Sequence, residues 1–384
     1  MLTLVDQPQK LTSLAERLPQ GSTFCLDTEF DSRADRTILC LLQLCVVDQT
    51  YLIDSIALRD LSPLAPALGH PDATWVLHGG HQDIPLLRRA LGLSNLPHLF
   101  DTQIAWGLVS PESATSFTYL TYKLLGSRNS KQHQTDDWTR RPLSNSQLAY
   151  AAHDVDCLPQ LYEILIQRAA ELGRHEQVLA ACYEHLCGTP ESPEPISLES
   201  YRNAWQLEPT GQFVLRELIA WYNDLSPGER EKTLEAKLLW SLANRLPMSV
   251  EALRQVRGMP RRLDSLHQDR IISIVKTANQ AVHSSVNLLE PLPYATYERL
   301  QLDAWLEYVR ATACAKAQVS KELVLTGRRL RQLKEAVAKD GLGAFESGVL
   351  KSILGTWQHA LIGEALIWAA GKIESPAALE VPRR

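Results

Sequence analysis

Strand-type apolar runs crowd the first hundred residues of this 384-residue chain and then stop. TFCLD, LCLLQLCVVD and YLID follow in close succession, TWVLHG comes next, and no run of that kind appears after residue 190. The short connections among the first three favour antiparallel neighbours. Leu2 to Val5 reads as a further short strand, while Leu11, Leu14, Ala15 and Leu18, and later Ile84 to Leu91, recur at helical spacing. The pattern predicts an α/β fold: a mixed sheet covered by helices. A doubly wound dinucleotide-binding fold is disfavoured, because no G-x-G-x-x-G follows a strand.

With no strand signal, the back of the chain must bury itself as helices. Val214, Leu215, Leu218, Trp221 and Tyr222 share one helical face, and Leu302, Trp305, Leu306 and Val309 share another. Each face carries an Ala-Trp pair, Ala220-Trp221 and Ala304-Trp305, which suggests two small all-α domains from a diverged duplication. GTPESPEPISLES has three prolines and few large apolar side chains, so it reads as a linker. NLLEPLPYATYE holds two more prolines and marks a second boundary. The expected division is a first domain over 1–187, a linker over 188–200 and helical domains over 201–286 and 287–384.

Composition narrows the setting. The longest apolar run, Ile38 to Val47, is far short of the roughly 20 residues a membrane span needs. Asp6 and Lys10 interrupt the N-terminus where a secretory signal would be apolar. Seven cysteines without a C-x-x-C pair argue against a zinc site or a disulfide framework, and a cytoplasmic monomer is expected. Net charge is −5, divided as −7 over residues 1–190 and +2 over the rest. An acidic front joined to a less acidic back suits a metal site beside modules that touch nucleic acid, as it does undirected drift in surface charge.

Three short motifs carry chemistry. In DTEF, strand alternation points Asp27 and Glu29 to one face, where paired carboxylates suit hard divalent cations. In HGGHQDIPLL, Asp83 falls after a glycine turn and before Pro85, in the first turn of a helix. In YAAHDVDCLP, Tyr150 and Asp154 stand four apart on a helix that Ser144 and Gln147 open with a capping box and that Pro159 should kink or break. Each motif alone also describes an ordinary strand end, helix start or surface pair. Their order is the specific signal.

That order, DTE, then D, then Y-x-x-x-D, resembles the tyrosine-bearing branch of the DEDD exonuclease superfamily, and within it ribonuclease D. The stretch KQHQTDDWTRRPLSNSQLAYAAHDV is similar to that family's approach to its third motif, with Asp137-Trp138 and Arg141-Pro142-Leu143. The helical modules resemble the HRDC domains that follow the nuclease there. One departure is Gln82, where relatives often place an acid before the second-motif aspartate.

The resemblance implies a ribonuclease H-like sheet domain and 3′→5′ hydrolysis of RNA by two divalent ions, Mg²⁺ or Mn²⁺, with release of nucleoside 5′-monophosphates. Asp27 is then expected to bridge the ions, Glu29 and Asp154 to complete the water-activating site, Asp83 to help hold the second ion, and Tyr150 to orient the attacking water. The implied partners are RNA 3′ ends, tRNA precursors above all. Phe30, Gln43 and Trp138 are candidate substrate contacts, with core packing as the competing role for each. His78, His81 and His153 are expected to be structural, and Asp101 a helix N-cap. Two basic clusters, one of Arg254, Arg257, Arg261, Arg262 and Arg270, the other of Arg328, Arg329, Arg331, Lys334 and Lys339, are candidate phosphate contacts or solvated faces. A DNA-directed exonuclease and an inactive nuclease fold serving as an RNA-binding scaffold remain open alternatives.

Overall fold

The computed structural model describes residues 2–31, 37–112, 115–127, 133, 136–187, 195–226, 229–230, 233–260, 263–280 and 297–373. They divide into two compact units, one of 1–188 with 297–384 and one of 189–296. Most of the linker expected over 188–200 lies outside the described residues, as do Arg261, Arg262 and most of the second proline-containing boundary.

The first unit is built on six strands: β1 (Leu2–Val5), β2 (Thr23–Asp31), β3 (Ile38–Val46), β4 (Gln49–Asp54), β5 (Thr74–Leu77) and β6 (His98–Asp101), in the order β1-β4-β3-β2-β5-β6. The neighbours β2, β3 and β4 are antiparallel, and the β1–β4, β2–β5 and β5–β6 pairs are parallel. The sheet is therefore mixed. β3 is buried from Leu39 to Val46, which explains why its run is apolar at every position but Gln43: both faces are covered.

The helices that cover the sheet are α1 (Pro8–Arg17), α2 (Asp83–Leu91), α3 (Thr102–Val109), α4 (Phe117–Leu125), α5 (Asn145–Asp156), α6 (Leu158–Glu171) and α7 (His175–Cys187). α5 lies over β2, β3 and β4, whereas α2 packs on β3, α6 on β5 and α7 on β6. Leu41, Leu52, Trp138 and Ala151 form a small apolar cluster under α5, and the main core fills the rest. No helix among the described residues is long and apolar enough to cross a membrane. All seven cysteines are free.

The second unit gathers α8 (Pro209–Asp224), α9 (Leu238–Arg245), α10 (Val250–Arg254) and α11 (Ser265–Gln280) around Val214, Leu215, Leu218, Leu239 and Val275. Trp221 and Tyr222 are buried with them.

The C-terminal helices are α12 (Tyr297–Ala317), α13 (Lys321–Val324), α14 (Gly327–Asp340), α15 (Ser347–Leu354) and α16 (Thr356–Lys372). Expected to form a domain of their own over 287–384, they instead share one continuous apolar core with the sheet and belong to the first unit. The physical reason lies at their joint with α3. Gly107 has no Cβ, and one built there would meet Leu323 Cδ2 at 2.9 Å and Ser320 Cβ at 3.3 Å. That close approach lets the Ser320 N–H donate to the Gly107 carbonyl at 2.7 Å. Arg174 donates to the carbonyls of Leu108 and Ala317, and Glu184 accepts from Arg329, Trp357 and Gln358. Two cations of the second basic cluster are thereby committed inside the fold, Arg329 to Glu184 and Lys334 to Asp303.

Candidate active site

The site forms where pairing around β2 runs out. β5 pairs with β2 only over Thr23 to Cys25, so beyond Cys25 that edge lies open to the first turn of α2. Asp83 begins α2, 8% exposed, and accepts a hydrogen bond from the Thr28 hydroxyl. On the other edge β2 stays paired with β3, with Asp27 opposite Gln43 and Glu29 opposite Leu41. The register then shifts: Phe30 faces Leu39, leaving Cys40 as the extra residue of a bulge. Asp27 and Glu29 thus share one face, as alternation requires.

α5 supplies the remaining groups. Ser144 caps it, accepting from the Gln147 N–H while the Gln147 side chain takes the Ser144 N–H. The helix ends at Asp156, and α6 begins at Leu158 with Pro159 in its first turn. One turn of helix separates Tyr150 from Asp154, and the phenol donates to the Asp154 carboxylate.

The electrostatics are those of crowded acids. Protein surrounds Asp27 closely although part of it stays open to the cleft; this enclosure, and then Asp83, Asp154 and Glu29, hold its carboxyl well above the usual range. Glu29 is pushed up to about 9 by burial, then by Asp154, Asp83 and Asp136. Burial also raises Asp83, against the Thr28 hydroxyl, and lifts Asp154 to about 6 against the Tyr150 hydroxyl. Tyr150 rises too, from burial first and the neighbouring carboxylates second. Among the described residues, the influences on Asp27 and Glu29 are burial, neighbouring acids and, for Asp27, the Thr28 backbone.

As a donor set, four carboxylates suit hard divalent cations, which take oxygen ligands. In this conformation no three acidic, imidazole or thiol groups among the described residues converge as metal ligands. Asp83 is turned toward Thr28, and Asp154 holds the Tyr150 hydroxyl. The chemistry of the set fits a cation, and closing on one takes side-chain rotation.

Of the candidate substrate contacts, Phe30 alone keeps exposed surface. Gln43 is 0% exposed and Trp138 2%, so neither presents a face to a bound strand. Trp138 packs near Tyr150, ring centroids 6.2 Å apart. His78 bonds Thr102 and the Thr115 carbonyl, and Asp101 caps α3 by accepting from the N–H groups of Gln103 and Ile104.

Two supports were not foreseen. One is the Thr28–Asp83 bond. The other is the Asp54–Arg141 ion pair, in which Arg141 Nε and Nη2 donate to the two carboxylate oxygens at 2.5 and 2.7 Å. Arg141 also donates to the carbonyls of Trp138 and of Cys40 in the bulge. It therefore ties the approach to α5 to the strand beside Glu29.

A family model described as 3′-5′ exonuclease matches residues 2–169. Ribonuclease D of Pseudomonas paraeruginosa is 30% identical over 373 residues, covering 92% of this chain and 94% of that one. Ribonuclease D of Gluconacetobacter diazotrophicus is 28% identical over 378 residues, 96% of this chain and 93% of its own. Among solved structures, RNase D of Escherichia coli, an exoribonuclease involved in structured RNA processing, matches with a TM-score of 0.68 at 24% identity, over 97% of this chain and 99% of that chain. Its ribonuclease H-like sheet and helical C-terminal region are the fold seen here. Through relatives matched over nearly their whole length, the chain belongs to the ribonuclease D family of 3′→5′ exoribonucleases.

Proposed function

We propose that this exoribonuclease trims RNA 3′ ends by metal-assisted hydrolysis, releases nucleoside 5′-monophosphates and acts on tRNA precursors in the cytoplasm as a monomer. The observation that carries the chemistry is the cluster of Asp27, Glu29, Asp83 and Asp154, in which burial raises every carboxyl and the neighbouring acids raise Asp27 and Glu29 further. Two divalent ions, Mg²⁺ or Mn²⁺, supply an activated water and neutralise charge on the phosphoryl and departing 3′ oxygens. Asp27, Glu29, Asp83 and Asp154 are the residues that would hold them, with Glu29 and Asp154 serving the activated water.

Tyr150 acts as a hydrogen-bond donor. Burial and the surrounding carboxylates keep its phenol protonated at neutral pH, so it orients the attacking water rather than removing a proton. Phe30, partly exposed just past Glu29, offers an aromatic face to the terminal base. The helices of the second unit act as an HRDC-like RNA-binding module, and the C-terminal helices, part of the sheet's own unit, add an RNA-binding surface. Arg254, Arg257 and Arg270 contribute phosphate contacts, and Lys339 contributes from the C-terminal helices, where Arg329 pairs with Glu184 and Lys334 with Asp303.

The test is a matched digestion of 5′-labelled single-stranded RNA, single-stranded DNA and a tRNA with an extended 3′ tail, with Mn²⁺ or EDTA. Stepwise shortening of both RNAs from the 3′ end in Mn²⁺ alone is expected. Activity in EDTA, or DNA cut as fast as RNA, overturns the reading.

A further inference from the structure

Gln43 is the polar anomaly of the core. It interrupts the apolar run of β3, is 0% exposed, and neither its amide nitrogen nor its oxygen has a hydrogen-bond partner. Buried polar side chains are overwhelmingly paired, because an unpaired one forfeits its bonds to water. An apolar residue would suit this position better unless the amide has work in another state of the protein.

Register identifies the partner. Residues opposite or diagonal on neighbouring strands share a face and lie within reach of a long side chain. On the β4 side, Leu52 stands opposite Gln43 and is apolar. Of the diagonal residues there, Thr50 is committed to Asp156, and Asp54 to Arg141 and the N–H groups of Ile56 and Ala57. On the β2 side, Asp27 stands directly opposite, with Glu29 and the Cys25 thiol, a weak hydrogen-bonding group, on the diagonals. α5 covers this part of the sheet and places Ala151, which has no polar side chain, in the same cluster as Leu41 and Leu52.

We infer that Gln43 is a positioning residue for the metal site: its amide N–H donates to the Asp27 carboxylate when Asp27 holds a cation, and so sets the direction of that carboxylate. A carboxylate binding metal through one side needs a donor for its remaining lone pairs, and ligand orientation of this kind tunes metal affinity. The inference assigns Gln43 to the acid cluster instead of the RNA strand. It rests on the metal-dependent reading above.

The test is Mn²⁺ binding by calorimetry, with thermal unfolding in EDTA, for the full chain and for Gln43→Met, which keeps the volume and removes the amide. Mn²⁺ affinity is expected to fall at least about tenfold, while the unfolding temperature in EDTA holds or rises because an unpaired amide is gone. Gln43→Asn, which keeps the amide but withdraws it by one methylene, should also bind Mn²⁺ more weakly. Unchanged affinity in Gln43→Met overturns the inference alone. Loss of affinity together with a lower unfolding temperature in EDTA marks a packing defect and overturns it as well. A wild-type chain that takes up no Mn²⁺ overturns the metal reading and this inference together.

Discussion

Replacing Arg141 by Met should be strongly destabilising, and the structure sets the size of the loss. Asp54 is 4% exposed, and the Arg141 side chain 23%. Removing one partner of a buried ion pair costs about 3–5 kcal/mol, because the other charge is stranded. Two circumstances place this pair near the lower end. The Asp54 carboxylate keeps two backbone donors, Ile56 and Ala57, and the arginine side is open enough to admit water. A loss of about 3 kcal/mol follows. At roughly 2–4 °C per kcal/mol for a domain of this size, the unfolding midpoint drops by about 6–12 °C. Urea unfolding of the wild type, Arg141→Met, Asp54→Asn and the double variant measures it, and the coupling energy should reach about 2 kcal/mol or more. Because Arg141 also holds the Cys40 carbonyl of the bulge and the chain entering α5, turnover should fall with little change in KM. A stability loss below about 1 kcal/mol, the size of a surface pair, would refute the reasoning.

Tyr150→Phe should lower turnover roughly 10- to 100-fold while Mn²⁺ binding stays unchanged; unaltered turnover removes the hydroxyl from the mechanism. In EDTA, stability should fall as pH rises from about 4.5 to about 9. Glu29 is raised from 4.5 to about 9 in the fold, so the folded state binds the extra proton and its contribution, complete below 4.5, is lost through 9. Denaturant midpoints at pH 5 and pH 8 read this slope, which Glu29→Gln should flatten; a wild-type midpoint that rises with pH contradicts the assignment. Gly107→Leu should cost about 1–3 kcal/mol by overpacking against Leu323 and Ser320. Faster amide exchange at Ser320, with β3 still protected, would locate the damage at that joint, and an unchanged Ser320 would argue against it.

Much of the site was legible because it depends on local periodicity. Alternation in DTEF is enough to bring Asp27 and Glu29 to one face, and the i,i+4 spacing of Tyr150 and Asp154 follows from a helix whose capping box and terminating proline can both be read directly. What depends on pairing between distant segments was not legible. β6 is HLFD, with only two apolar side chains, side by side, and no β-branched residue, so it carries no strand signal. The bulge at Cys40 exists only relative to β2. Asp54 and Arg141 are 87 residues apart, and neither carries a local mark of the other. The apolar face of α12 announces burial without naming what buries it, so a separate domain and docking onto the sheet's core look alike until Gly107 and Ser320 are seen together. Gln43 was visible as a polar residue in an apolar strand, but its direction came only with the register.

The location of the acids has its own logic. In a fully paired strand, both edges of β2 would be occupied along its length and the side chains at 27 and 29 would pack against neighbours of their own kind. Here β2 loses β5 after Cys25 and slips against β3 after Glu29, so the residues between have one edge open and an irregular end to the other. Asp83 enters through the open edge, α5 closes the site from above, and Arg141 secures the bulge. The sheet supplies rigidity up to the acid cluster, and there its own rules lapse. Such a breach of regular folding is expected at a functional site. The raised carboxyls of Asp27 and Glu29 are its electrostatic counterpart, a strain that cation binding would relieve.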